Sequence, residues 1–454
     1  MKKRHKLGYG IGDMGAGTIW GLTGGFLMVY MTDTVGISAA LLGTLFLAAR
    51  LFDGVSDAFM GTLIDNTHTK IGKARPWFLA SILPLVVCTI LLFNIPSSFS
   101  VTGKSIYFFV MYFVVTVVFY TINNVSYNSF PALVTDKTED RIGMALFRYV
   151  SSISTGLVVS VITIPLLKRL GGLNNQAAWS KVVLLYCLIG LVALTITGFS
   201  VKEIITAKKA KIEANKEDSI PFYKAFKYTF SNKYFLIMIT DSIMMMTRMG
   251  VAGAGIYYAQ YNLGNADLVG VMSIASLLPM IVGMLISAPF LTKFGMQKSR
   301  IIGSSISLFG GILAALFGNN FSMLLLGNAL IAFGIGPSSA SNSALLAHVV
   351  DYGEWKNKAK LAGTIFSCNS VGTKLGTGIG SAIVGWGLAT GGYMAGSPSQ
   401  SASALFAIKA VCLYIPVVLL TVGLILNCFL DIEKKIPEIK KELAARNELK
   451  SGEN

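Results

Sequence analysis

The sequence predicts an all-α membrane protein of twelve transmembrane helices arranged as two six-helix bundles. Three observations predict it. The chain is 53% hydrophobic and only 13% charged, where an ordinary soluble domain has roughly 25% charged residues. Its apolar residues gather into twelve runs of about 20 residues, the length that crosses a bilayer core. Landmarks that follow the first runs return at matching points in the second half.

The runs fall at about 8–31, 39–63, 77–97, 105–127, 145–167, 182–200, 234–260, 268–292, 301–317, 321–349, 362–390 and 405–430. The basic start, Met1-Lys-Lys-Arg-His-Lys6, leads into the first of them. No small-residue cleavage pattern follows, so it reads as a cytoplasmic flank rather than a signal peptide. The 38 Lys and Arg residues set the orientation. With both termini cytoplasmic in the cell membrane, only Lys104, Lys168, Arg169 and Lys181 lie outside. Arg50, Arg148, Arg248, Lys374 and Lys409 lie within spans or at their ends, and the rest are cytoplasmic.

The expected layout is an N-terminal bundle at 1–200, a cytoplasmic linker at 201–233, a C-terminal bundle at 234–430 and a cytoplasmic tail at 431–454. The linker carries a lysine-rich charge pattern of solvated character. The tail is mixed-charge and helix-prone. After the second run comes Asp65-Asn-Thr-His-Thr-Lys-Ile-Gly-Lys-Ala-Arg75, and after the eighth Thr292-Lys-Phe-Gly-Met-Gln-Lys-Ser-Arg300. Asn128-Ser-Phe-Pro-Ala-Leu-Val-Thr-Asp136 after the fourth is matched by Asn342-Ser-Ala-Leu-Leu-Ala-His-Val-Val-Asp351 after the tenth. Such repeats point to two bundles related by an axis along the membrane normal, with a substrate site near the midplane.

Several function classes are disfavoured. The net charge of +16 sits in short gaps between apolar runs, which argues against nucleic acid as a partner. The five cysteines all fall in predicted spans, without zinc or disulfide spacing. No phosphate loop of the Gly-x-x-x-x-Gly-Lys-Ser/Thr form occurs. No nucleophile–base or metal constellation stands out, so neither an enzyme nor a cofactor is expected. The paired halves and the lack of a repeated filter-like segment disfavour a channel.

Charges inside the spans carry the functional reading. Asp53 and Asp57 stand four residues apart, so a helix stacks them on one face. Each costs about 2.5–3.5 kcal/mol even on a lenient insertion scale. Arg50, three residues before Asp53, cannot cancel both. A proton or Na⁺ between them would, with hydroxyls such as Ser56 or Thr121 completing an oxygen site. Asp13 lies in a glycine-rich stretch, with Trp20 two turns on. Lys374 sits mid-span and needs a carboxylate partner. Arg148 begins the fifth run, as an interfacial residue or a sugar contact. Asp241 and Arg248, seven apart, are expected to pair locally. Trp20 and Tyr120 are the aromatics nearest the acids.

These residues resemble a known family. Tyr9-Gly-Ile-Gly-Asp13, Tyr30-Met-Thr-Asp-Thr-Val-Gly36, Gly43-Thr-Leu-Phe-Leu-Ala-Ala-Arg-Leu-Phe-Asp-Gly-Val-Ser-Asp57, Ile71-Gly-Lys-Ala-Arg-Pro-Trp77 and Asp351-Tyr-Gly-Glu-Trp355 look like the glycoside–pentoside–hexuronide:cation symporters. The resemblance covers nearly the whole chain. It implies a major facilitator-type fold and cotransport of a sugar or glycoside with H⁺, Na⁺ or Li⁺. In the melibiose permeases of that group, two aspartates and a threonine of the cation region match Asp53, Asp57 and Thr121. A lysine of the eleventh span matches Lys374, and a sugar-contacting arginine matches Arg148. The chain also departs from them. A sugar-binding Lys-Asp pair is replaced by Ala16 and Gly17, with Asp13 one turn earlier. A sugar-binding aspartate is Asn124, a tryptophan is Asn128, and an asparagine between the cation aspartates is Ser56. The expected site is therefore Asp53, Asp57, Ser56 and Thr121 for the cation. Asp13, Trp20, Tyr120, Asn124, Asn128, Arg148 and Lys374 are expected to contact the sugar. The expected partners are a sugar or glycoside, a monovalent cation and the lipid bilayer, with the monomer as the functional unit. A transporter of lysolipid or another amphiphile is the alternative.

Overall fold

A computed structural model describes residues 3–135, 137–203, 221–359 and 361–452. Asp136, at the end of one repeated landmark, and linker residues 204–220 lie outside the described residues. Among those described, every regular element is a helix, and one isolated bridge joins Thr69 to Gly72.

Among the described residues, twelve long helices occur at the predicted places: α1 (Lys3–Gly25), α2 (Ala39–Asp65), α3 (Arg75–Leu92), α4 (Val101–Val134), α5 (Thr138–Leu170), α6 (Gln176–Ser200), α7 (Lys233–Asn262), α8 (Leu268–Phe294), α9 (Met296–Phe317), α10 (Phe321–Asn357), α11 (Ala362–Thr390) and α12 (Ala402–Cys428). Ten are long and apolar enough to cross a bilayer on their own. The other two, α1 and α11, are the polar ones. The first opens on basic residues and carries Asp13; the second is rich in Gly, Ser and Thr and carries Lys374. Short helices also occupy Phe222–Phe230 and Ile432–Gly452.

Capping side chains explain where many helices start. Ser38, Ser100, Asn175, Asn320 and Ser401 each accept a backbone N–H of the first turn, at the starts of α2, α4, α6, α10 and α12. The starts of α3 and α9 use a different device, repeated in the two halves. The Glu203 carboxylate, just past α6, accepts the backbone N–H groups of Lys73 (2.6 Å), Ala74 (3.0 Å) and Arg75 (2.7 Å). The Glu433 carboxylate, just past α12, accepts those of Met296 (3.0 Å) and Gln297 (3.1 Å). Each meets the positive end of a helix dipole. Beside each acid stands a glycine with positive φ, Gly72 at 125° and Gly295 at 80°. A Cβ on either would press on that carboxylate. We expect Glu203→Ala to lower stability by about 1–2 kcal/mol, seen as a lower thermal midpoint of the detergent-purified protein. An unchanged midpoint would refute the cap.

The chain divides into two compact units. One holds Met1–Ile212, Gly250–Ser273 and Gly378–Cys412; the other holds Glu213–Met249, Ile274–Thr377 and Leu413–Asn454. In the first, α1 packs closely against α5 and α6. Close approach needs small residues. A Cβ at Gly15 would lie 2.8 Å from Leu194 Cγ and 2.9 Å from the Gly190 oxygen. Thr197 Oγ1 ties the pair by donating to the Gly8 oxygen at 2.7 Å.

In the second unit, α9 packs on α10 and α12. Here the expected Asp241–Arg248 pair is replaced. Asp241 binds Arg300 in a buried ion pair. Seven residues along a helix separate two groups by about 10 Å, whereas Arg300 reaches Asp241 across the bundle. Arg300 Nε also donates to Asn427 Oδ1 at 2.8 Å, and its NH1 to the Ser338 oxygen at 3.2 Å. The helix Ile432–Gly452 folds back onto this unit and buries Ile432, Ile436 and Ile439 with Tyr234, Leu345 and Val349. The Tyr234 hydroxyl donates to Asp431 at 2.8 Å and holds that carboxyl below its ordinary pKa.

Candidate functional site

Helix α2 runs unbroken past Asp53 and Asp57, so the two acids stand one turn apart. Asp53 is only 4% exposed, and Asp57 is half-buried. Asp53 Oδ2 accepts Arg50 NH1 at 2.9 Å, and Oδ1 accepts the Thr121 hydroxyl at 2.9 Å. The Ser56 hydroxyl donates to the Asp53 backbone oxygen at 2.9 Å and lies 3.3 Å from Thr121 Oγ1. Of the four residues expected at a cation site, Asp53, Ser56 and Thr121 are thus in direct mutual contact, and Asp57 is the next turn of the same helix.

Thr121 reaches Asp53 through an irregularity in α4. The residues before it, Val114–Tyr120, form a π-type turn, a wide turn frequent at functional positions. Its hydroxyl lies 3.3 Å from the Thr116 oxygen, five residues back. Arg50 has a second partner. Its guanidinium carbon sits 4.6 Å over the Trp20 ring, and Trp20 stacks on Tyr120 at 5.0 Å. A cation over an aromatic face is held by the ring quadrupole. Trp20, Tyr120, Arg50, Asp53, Ser56 and Thr121 therefore form one continuous cluster. Oxygen donors of this kind suit a hard cation or a proton.

A second cluster gathers most of the expected sugar contacts. Arg148 Nε lies 3.6 Å from Asp13 Oδ1, and Arg148 NH1 donates to Asn128 Oδ1. Asn128 Nδ2 donates to Asn124 Oδ1, one turn earlier, at 2.8 Å. Arg148 also lies 5.0 Å over the Tyr127 ring. Tyr127 stacks on Tyr9 at 4.4 Å and donates its hydroxyl to the Tyr9 oxygen at 2.6 Å. Helix α5 begins at Thr138, so Arg148 stands almost three turns inside it and reaches α1 and α4.

Lys374 belongs to the second unit, half-buried on α11. Sequence reasoning passed over Tyr9 and did not select Tyr127. Their signal was weak, because buried tyrosines in spans are usually packing. Arg50 was noted only as a partial counter-charge, yet it joins the aromatic pair to Asp53. Among the described residues, no group of three or more His, Cys, Asp or Glu could hold a metal ion.

Long apolar helices with polar clusters among them mark a multi-pass membrane protein. Comparison with known proteins makes the class specific. Residues 8–434 match the family described as MFS/sugar transport protein. The putative glycoside/cation symporter YagG of Escherichia coli (strain K12) is 31% identical, covering 92% of this chain and 89% of the relative. The isoprimeverose transporter of Lactiplantibacillus pentosus is 29% identical, covering 98% and 91%. The crystal structure of the nucleoside transporter NupG shares the fold, with a TM-score of 0.64 at 14% identity, covering 94% of this chain and 99% of that one. The chain belongs to the MFS/sugar transport family, in its glycoside–pentoside–hexuronide:cation symporter branch.

Proposed function

We propose that the protein couples uptake of a sugar or glycoside to a monovalent cation, H⁺ or Na⁺, bound at Asp53 and Asp57 with help from Ser56 and Thr121. The observation that carries this reading is the buried Asp53 carboxylate. It is joined to Arg50 and Thr121, with a second half-buried carboxylate one turn on. Asp53 holds Arg50 and Thr121, and Asp57 brings a second carboxylate to the same helix one turn on. Like charges at this spacing repel, so binding a cation relieves them. Asp13, Asn124, Asn128 and Arg148, with Trp20 and Tyr120, present hydrogen-bonding groups and aromatic faces to the sugar. The loaded carrier then alternates its access between the two sides.

The protein sits in the cell membrane with both termini cytoplasmic, a reading supported by the distribution of Lys and Arg. The linker and the helix Ile432–Gly452 are then inside. The loops 36–38, 171–175 and 391–401 are outside. The test is uptake of a panel of glycosides and pentosides, isoprimeverose among them, into right-side-out vesicles without ATP. Each is tested with and without a Na⁺ gradient at two pH values. We expect at least one neutral glycoside to accumulate under one of the two gradients. Uptake indifferent to both would overturn the coupling.

A further inference from the structure

We propose that Asp33 is the keystone of an outer seal, a hydroxyl-to-carboxylate latch that holds the external ends of α7 and α11 against α1. The sides are named by the orientation proposed above. The residues concerned all belong to the first unit, so the latch is internal to one compact body.

The latch has four side chains around one acid. Asp33 Oδ1 accepts the Tyr393 hydroxyl at 2.6 Å and the Thr32 hydroxyl at 2.8 Å. Asp33 Oδ2 accepts the Tyr261 hydroxyl at 3.1 Å. The Tyr257 hydroxyl lies 2.9 Å from Thr32 Oγ1, which extends the chain of bonds by one link. The rings close around it, Tyr257 and Tyr261 both edge-on to Tyr393 at 5.4 and 5.5 Å. Three elements meet here: the segment after α1, the end of α7 and the loop after α11. Asp33 lies in the π-type turn Tyr30–Val35, and Tyr261 in the π-type turn Tyr258–Asn262. Both helices therefore leave regular geometry where the latch is made.

Other contacts support closure at this end. Trp386 Nε1 donates to Thr44 Oγ1 at 3.1 Å, and Gly43 and Gly385 let α2 and α11 touch. Lys168 pairs with Asp267 at 2.6 Å, with both side chains more than 40% exposed, so water and salt screen it. Asp33 is more enclosed, and its carboxylate only accepts while its neighbours donate. Hydrogen bonds to an ionised group are stronger than neutral ones. Sugar entering from outside requires α7 and α11 to part from α1. Water then replaces the tyrosines on the acid, so the latch reopens without leaving Asp33 unsatisfied. Its strength sets how often the outer path is open.

The test is external labelling of a thiol at Thr32→Cys, in a background with the five native cysteines replaced. Thr32 is 1% exposed beneath Tyr257. Ala395→Cys, in the exposed loop after α11, is the reference. With a membrane-impermeant maleimide on whole cells, we expect Thr32→Cys to react at least about tenfold more slowly than Ala395→Cys. Adding Asp33→Asn, or Tyr261→Phe with Tyr393→Phe should it misfold, raises the Thr32→Cys rate by about three- to tenfold. Equal rates with and without these changes overturn the latch. If Ala395→Cys reacts only in inverted vesicles, the orientation is wrong. The same rate comparison made there then decides the latch by itself. No sugar is needed, so the result stands apart from the identity of the substrate.

Discussion

Asp53→Asn abolishes uphill sugar accumulation and also destabilises the protein, and a second substitution separates the two effects. Arg50 and Asp53 form an ion pair whose side chains are 11% and 5% exposed. Removing one partner of such a pair strands a buried charge, at a cost of about 3–5 kcal/mol. Adding Arg50→Met removes the stranded guanidinium, so most of that stability returns, because a buried pair replaced by apolar groups is often near neutral. Coupling does not return with it. Asp57→Asn leaves the Arg50–Asp53 pair intact and still loses accumulation. Downhill equilibration of sugar survives in all three variants. The measurements are thermal unfolding of purified protein and sugar uptake with and without a cation gradient. Full accumulation by the Arg50→Met/Asp53→Asn protein would reduce Asp53 to a structural residue.

Breaking the Asp241–Arg300 pair has a comparable effect on stability without a direct effect on coupling. Arg300 is 1% exposed and bonded to Asp241, Asn427, Ser338 and Ser341. Asp241→Asn leaves the guanidinium without a counter-charge and costs about 3–5 kcal/mol. The protein that still folds keeps its cation dependence and its apparent sugar affinity. Asp241→Leu with Arg300→Met recovers a large part of the lost midpoint, since both buried charges leave together. A double variant no more stable than Asp241→Asn would show that the wider hydrogen-bond network, rather than the ion pair, holds this unit together.

Hydropathy made the helix count and order legible, because a bilayer leaves few ways to satisfy the backbone. The Asp53–Asp57 spacing was equally plain, since nothing interrupts α2 between them. Long-range pairing was not. A seven-residue spacing pointed Asp241 at Arg248, but the partner came from α9, and no one-dimensional period carries that information. The π-type turns hid other contacts. A turn with an extra residue rotates everything after it relative to a regular helix. The turn before Thr121 therefore sets its facing in a way that a regular 3.6-residue wheel does not describe. Arg148 stands at the start of the fifth apolar run, whereas the helix itself begins earlier, at Thr138. The repeated Gly-and-basic gaps were visible as landmarks, but the acids that cap them were not. Glu203 and Glu433 lie about 130 residues further along the chain from their targets.

The docked helix Ile432–Gly452 has a practical consequence for anyone preparing this protein. By hydropathy the last span ends near residue 430, and a cut there would look harmless. It would remove Glu433 from the start of α9 and strip Ile432, Ile436 and Ile439 from a hydrophobic cluster. Trp355 would also lose Glu442, which it reaches at 2.6 Å. Affinity tags and reporter fusions therefore belong beyond Arg446, whose guanidinium still bonds the Trp355 backbone oxygen at 2.9 Å. A shortened version would fail at purification for reasons unrelated to transport.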